Sequence, residues 1–356
     1  MTKCITDSEG ELWRIQRRFA LTTLRDLGFN NPVIEPRIKD EAYYLIDAIL
    51  AQNNNAFDIG PLLANAVSNV ICALVFGRRF DYAHAEFRRM LSLVRARVSE
   101  TDVSFMTPFV LSKTVGKLMG YMPALKRLKA SNNETLEFIR HQIPQSLQGF
   151  EPSRGDTPSN YIQAFYKAQH DQREDSWTFT ERQLVARVNN LFVAGTDTTA
   201  TTIRWAIFYL AHFPDWQEKI YEEISRDTDG RSLLNYADRS RLPLTEAVIM
   251  ETQRLANMLP VGLMRKTLAP SKISGYEIPT GTVVFPLLGT VLGDPAVYPD
   301  PETFDPNRFL PGNREAAFSH LIPFSTGKRM CPGESLAKME LFIFFTALMY
   351  RYKFSV

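Results

Sequence analysis

The chain has 356 residues, 41 Lys plus Arg against 39 Asp plus Glu, 45% hydrophobic and 22% charged residues, and 3 Cys. These values exclude a disordered chain, collagen, a coiled coil and a disulfide scaffold, each of which needs a composition far from this one; a packed globular protein is left. A net charge of +2 gives no global reason for nucleic-acid binding, so an electrostatic partner has to be met by a local patch. Cys4, Cys72 and Cys331 are too far apart for a disulfide framework and fit a reducing compartment. His84, His141, His170, His212 and His320 show no metal-ligand spacing, so Cys is the better candidate for a metal. No stretch reaches the roughly 18 to 20 apolar residues of a bilayer span, Leu341 to Met349 being too short, and the first residues lack a signal-peptide layout. As written, the sequence carries neither anchor nor signal.

Apolar residues recur at three and four over Tyr43 to Leu50 and Phe87 to Val98, the spacing of helices. Gln52, Asn53, Asn54 and Asn55 read as a loop between helices, and the polar, Pro-bearing stretch Glu151 to Asn160 as a surface connection. A long helix is predicted next. Thr180 with Gln183 three residues on has the form of a capping box, and Phe213-Pro214 ends the helix because Pro cannot continue the ladder. The roughly 33 residues between extend about 50 Å, enough to cross a whole domain. Ala186, Val188, Leu191, Phe192, Val193 and Ala194 make its middle apolar on several sides, so it is expected at the centre of the fold. An amphipathic segment follows Pro214, then a helix from Leu244 to Asn257 stopped before Pro260. Lys272 to Phe285 turns β-branched and aromatic, with Gly275 and Gly281 as punctuation, the pattern of short strands. Gly293 to Gly312 is Pro-rich and aperiodic, and Ser335 to Tyr352 is a strongly apolar helix. The predicted class is mainly α with a minor β region.

The strongest local signal is Phe324 to Glu334, where Cys331 sits in a Gly- and Pro-bearing loop just before a helix. Gly327 and Gly333 permit close backbone approach and unusual φ, while the helix N-terminus, Lys328 and Arg329 favour a thiolate. Such a sulfur is a metal ligand or a nucleophile; a Cys standing alone is more often inert and buried. Phe324, Gly327, Arg329, Cys331 and Gly333 also fit the pattern FxxGxRxCxG, and here the chain resembles the cytochrome P-450 family. That resemblance implies that Cys331 is the proximal ligand of a haem iron.

Further segments resemble the family in the expected order. Ala194 to Thr199 resembles its oxygen-activation segment, which implies that Ala194 lies against the haem and that Asp197 and Thr198 relay protons. A Thr bonded to a carbonyl of the preceding turn, beside Gly195, is expected to open the helix ladder to water or dioxygen. Glu251 and Arg254, with Arg308, resemble the family's structural triad, although three apart is also the spacing of ordinary exposed ion pairs. Trp13 and Arg17 lie one turn apart and suit a carboxylate, or else form a basic amphipathic helix with a core Trp. The resemblance makes that carboxylate a haem propionate, with Arg265 and Arg329 as further contacts.

The resemblance runs from Trp13 to the last helix and is to the microsomal, eukaryotic type. It implies one partial cytochrome P-450 domain over 1–356, truncated at both ends: the family's N-terminal part, with its membrane anchor, and its C-terminal hairpin are expected outside this sequence. It further implies a monooxygenase with haem b (iron protoporphyrin IX), fed by NADPH indirectly through the flavoprotein NADPH-cytochrome reductase. Arg14, Arg18, Lys328 and Lys338 are candidates for the reductase patch. Asn189, Asn190, Phe192, Ala194 and Leu259 to Met264 are candidates for contact with a lipophilic small molecule. Location at the endoplasmic reticulum is implied, with membrane association expected only for a full-length form, and no nucleic acid. The rivals are an inactive truncated haem binder and a reductase-independent haem-thiolate isomerase; retention of Asp197 and Thr198 argues against the isomerase.

Overall fold

The computed structural model describes residues 5–28, 32–100, 123–171, 176–228, 231, 233–312 and 314–356. Cys4 lies outside them. Helices dominate the first half: α1 (Gly10–Asp26), α2 (Glu35–Leu50), α3 (Gly60–Phe76), α4 (Ala85–Glu100), α5 (Pro123–Ser146) and α6 (Tyr161–His170). The second half holds α7 (Glu181–His212), α8 (Pro214–Thr228), α9 (Pro243–Ala256), the short α10 (Leu288–Leu292) and α11 (Arg314–Ser319), and α12 (Glu334–Arg351). The loop predicted at Gln52 to Asn55 joins α2 to α3, with Asn53 and Asn54 at positive φ.

The axis is α7. Thr180 caps it by accepting the Gln183 N–H, but the Gln183 side chain does not close the box; it accepts a hydrogen bond from Gln16 Nε2 of α1 at 3.0 Å. One arm of the capping box is thus exchanged for a tie between two helices. Midway, α3 crosses closely: a Cβ on Gly195 would lie 2.8 Å from Ile71 Cδ1, so a larger residue there would push the end of the Ile71 side chain aside. Ser68 Oγ donates to Thr196 Oγ1 at 2.9 Å in the same buried contact. Phe192 is fully buried in the core, which takes it away from the substrate contact expected of it. The helix ladder is continuous from Glu181 to His212, so the opening expected beside Gly195 is absent; the Thr198 side chain bonds back without unwinding the turn.

Against α7 pack α3, α9 and α12. Leu341, Phe342, Phe344, Phe345 and Leu348 make α12 buried on all sides, as a helix apolar all round must be. Each such side chain contributes roughly 2 kcal/mol by leaving water. One large apolar cluster runs from Ile5 to Met349 through these helices, and a small satellite gathers around Tyr298 and Phe309.

The β element is minor, as the pattern over Lys272 to Phe285 predicted. β1 (Arg265–Lys266) pairs antiparallel with β4 (Val283–Val284), setting Arg265 opposite Val284. β2 (Ser271–Ile273) and β3 (Tyr276–Ile278) form a hairpin. Its two turn residues, Ser274 and Gly275, both have positive φ, the sense of turn that matches strand twist.

Candidate functional site

Cys331 stands at the start of α12, half-buried, in a loop shaped by two left-handed residues, Gly327 at φ 76° and Ser325 at φ 61°. The second was not legible, because Ser carries no sequence signal for positive φ. Gly333 has an ordinary φ of −91°, so the unusual conformation expected there is absent; its N–H instead donates to Cys331 Sγ at 3.3 Å. The Cys331 N–H is bound to Phe324 O at 2.9 Å, closing the loop. Burial pushes the Cys331 thiol up, the Gly333 N–H opposes this, Glu334 adds to it, and Arg17 opposes it. The cation that favours the thiolate therefore comes from α1, not from Lys328 or Arg329.

Three guanidiniums meet beside that sulfur. Arg17 Nη2 donates to Met330 O at 2.9 Å, Arg265 Nη2 to Arg329 O at 3.4 Å and Arg329 Nη2 to Ser8 O at 3.0 Å. Arg329 stacks 3.9 Å from the Trp13 ring, a cation–π contact. The Arg17 guanidinium is held below its usual range by burial, with Cys331 opposing and Arg265 adding. Arg329 is lowered by burial, then by Arg265 and Arg17, against a pull from Glu9. None of the three has a carboxylate within ion-pair distance among the described residues. Trp13 Nε1 is buried beside them without a hydrogen-bond acceptor. Uncompensated like charges and an orphaned donor cost stability unless an anion completes them.

On α7, Thr198 Oγ1 donates to Ala194 O at 2.8 Å. Ala194 is exposed although it lies mid-helix in the core element, so that face of α7 borders open space. Asp197 is half-buried, and burial raises its carboxyl above the usual range, with Arg95 of α4 opposing. Asn190 Oδ1 accepts from Thr6 Oγ1 at 3.2 Å, and Asn189 Oδ1 is buried without a partner. Leu259, Leu263 and Met264 are exposed. Sequence reasoning missed Arg95 and Thr6, which lie far from the motif in the chain.

Glu251 and Arg254 form a buried ion pair at 2.7 Å on α9. Arg254 also donates to Leu292 O at 3.0 Å and Thr303 O at 3.3 Å, while the Asp305 N–H and Arg308 reach Glu251 at 3.0 and 3.5 Å. This is no exposed pair. Two carbonyls from different segments need the planar five-donor fork, which a Lys lacks.

A family model for cytochrome P-450 matches residues 1–356. This chain belongs to the cytochrome P-450 family. Its curated relatives include cytochrome P-450 2H1 of Gallus gallus, 38% identical over 347 residues, 97% of this chain and 69% of the relative. Cytochrome P-450 2J2 of Homo sapiens is 36% identical over 350 residues, 98% and 68%; cytochrome P-450 2A4 of Mus musculus is 37% identical over 353 residues, 98% and 70%. The mainly helical fold with small strands is the fold of that family, and the chain is an oxidoreductase, a haem-thiolate monooxygenase. The family implies a haem, lipophilic substrates and a redox partner. The donor set fits such a group: a sulfur pinned by a backbone N–H, an unpartnered indole N–H and three guanidiniums lacking carboxylates suit an iron porphyrin with two carboxylates.

Proposed function

We propose that this chain, as one domain over 1–356, inserts one atom of dioxygen into a lipophilic small molecule and reduces the other to water. Two electrons come from NADPH through a flavoprotein reductase, and two protons balance the water. The uncompensated cluster of Arg17, Arg265 and Arg329 with Trp13 beside Cys331 is the observation that carries this reading. In it, haem b, when bound, supplies the oxygen chemistry. Cys331 would ligate the iron, and Trp13, Arg17, Arg265 and Arg329 would hold the propionates. Phe324, Gly327 and Gly333 hold the loop in shape, and the exposed Ala194 would leave room for the porphyrin.

Asp197 and Thr198 would hold and pass the protons. A carboxyl raised by burial keeps its proton more readily, as a donor must. The exposed Leu259, Leu263 and Met264 suit an apolar guest. Arg14, Arg18 and Lys328 are exposed on α1 and the Cys331 loop, and the Arg17–Met330 bond ties these two elements together; this supports them as the reductase patch. Lys338 is paired with Glu334 at 2.7 Å and adds less net charge. No helix among the described residues is long and apolar enough to cross a membrane; endoplasmic-reticulum residence is proposed from the relatives.

The test is oxygen uptake by the haem-loaded protein with NADPH and reductase, together with the carbon monoxide difference spectrum of the reduced protein. Reductase-dependent uptake with a thiolate-type Soret band is expected. Turnover of peroxides alone, or haem uptake without turnover, would overturn the reading.

A further inference from the structure

Arg187 lies in the first half of α7 and is fully buried, although side chains of its type mostly reach water. Aromatic rings from three segments surround it. Its guanidinium carbon is 5.6 Å from the ring centre of Phe19 on α1, 5.1 Å from that of Phe165 on α6 and 5.2 Å from that of Phe179, just ahead of α7. Arg187 Nη2 also donates to Thr178 O at 3.2 Å. The rings meet one another edge-on, Phe19 standing 5.0 Å from Phe179 and 5.9 Å from Phe165. Ring faces attract a guanidinium most strongly where water is excluded, so this cage is a directional contact as well as a filled volume.

Phe19 ties the cage to the sulfur site. It stands two residues beyond Arg17, about 200° around the helix, so α1 turns one side to the cage and the other to the Cys331 loop. On that other side Arg17 Nη2 donates to Met330 O at 2.9 Å. Trp13, one turn before Arg17, carries the stacked Arg329 guanidinium at 3.9 Å. Between the two sides lies a second tie to α7: Gln16 Nε2 donates to Gln183 Oε1 at 3.0 Å, and Gln183 is one turn before Arg187. Helix α1 is thus held across its width, and rolling it about its axis moves Phe19 and Arg17 together.

We propose that Arg187 is a positioning residue for the carboxylate-binding cluster: caged on α7, it fixes the rotation of α1 through Phe19 and so aims Trp13 and Arg17 at the space beside Cys331. This rests on the reading of that cluster as the seat of the haem propionates. A roll of about 20° would carry a side-chain tip about 5 Å from the helix axis through about 2 Å, enough to break a hydrogen bond whose heavy atoms must stay within about 3.2 Å. The carboxylates would then lose their cations. The sulfur loop would keep its shape, because the bonds from the Cys331 N–H to Phe324 O and from the Gly333 N–H to Cys331 Sγ lie within it.

The experiment compares wild type, Arg187→Met, Arg187→Lys, Phe19→Leu and the Arg187→Met, Phe19→Leu double variant, each loaded with haem and, separately, with haem dimethyl ester, whose propionates are capped and uncharged. In Arg187→Met, amide hydrogen exchange over residues 13–19 and release of haem to a scavenging globin should each quicken about tenfold, the loss of one desolvated cation–π contact. Release of the ester should stay as in wild type. Arg187→Lys keeps a cation among the rings and should lie closer to wild type than to Arg187→Met. Phe19→Leu should reproduce Arg187→Met, and the double variant should be no worse than the worse single one. Equal quickening for haem and ester, the mark of general loosening, would overturn the proposal, as would wild-type behaviour of Arg187→Met or additive effects in the double variant. Should Arg187→Met fail to fold, Phe19→Leu and Arg187→Lys decide it alone. A wild type that holds haem and ester equally well would sink the propionate reading, and the exchange data would still decide whether Arg187 seats α1.

Discussion

At the scale of single residues the consequences separate by chemistry. Cys331→His should retain haem uptake through Trp13 and the guanidiniums yet lose the thiolate-type band of the reduced carbon monoxide complex, because an imidazole nitrogen would replace the thiolate sulfur as ligand. Thr198→Ala should cut product formation by about a hundredfold while NADPH is still consumed, since a positioned proton donor is worth at least that much; product and peroxide assays on the same sample check it. Glu340 has a pH signature as well. Its folded pKa is raised, so the folded state keeps a proton that the unfolded chain loses above its ordinary range near 4.5. The stability it allows is fully present below that value and is lost as pH rises toward the folded pKa, at about 1.4 kcal/mol per pH unit. Denaturant melts of Glu340→Gln should lack that slope between pH 5 and 7 relative to wild type.

What could be read in advance at this scale depended on whether the cause was local. The Cys331 loop, the Thr180 cap and the Pro214 stop follow from neighbours in sequence. The source of the charge beside the sulfur does not: Arg17 is over three hundred residues away, and Lys328, the obvious neighbour, gave the wrong answer. Glu340 was invisible for a similar reason. An isolated acid in an apolar run reads as a point on an exposed face, and only packing on every side reveals it as buried.

At the scale of elements, the α3–α7 crossing is tight at one missing methyl. Gly195→Ala would set its Cβ against Ile71 Cδ1, and overpacking of this kind costs about 1–3 kcal/mol. Adding Ile71→Val removes Cδ1, the nearer of the two opposing atoms, so the double variant should recover part of the loss in an unfolding midpoint. The α9 ion pair is a second lock. Glu251→Gln leaves the Arg254 and Arg308 charges buried without their counterion, and breaking a buried pair costs about 3–5 kcal/mol. Long helices, their order and the short strands were legible because periodicity and punctuation are properties of a segment. The unbroken ladder through Gly195 was not: whether a Thr side chain bends its helix depends on what packs behind it, here α3.

At the scale of the whole molecule, the reductase reading makes a claim about rates. Reversing charge at Arg14 and Lys328 together should slow reductase-driven turnover at low salt and leave peroxide-driven turnover unchanged, because such a patch governs encounter and not chemistry. Raising ionic strength should shrink the difference. The family could be recognised from motif order along the chain, whereas the electrostatic surface exists only once α1 is bound to the Cys331 loop.

The gathering of Arg17, Arg265 and Arg329 has one last consequence. A polypeptide that holds three mutually repelling cations at one spot is sprung before its guest arrives, and the guest is what releases the spring. Empty protein should therefore grow more heat-resistant as simple electrolyte is added, while the pigmented form, already neutralised from within, should hardly respond. Calorimetry of both forms across an ionic-strength series would show whether the pigment is structural ballast as much as a reagent.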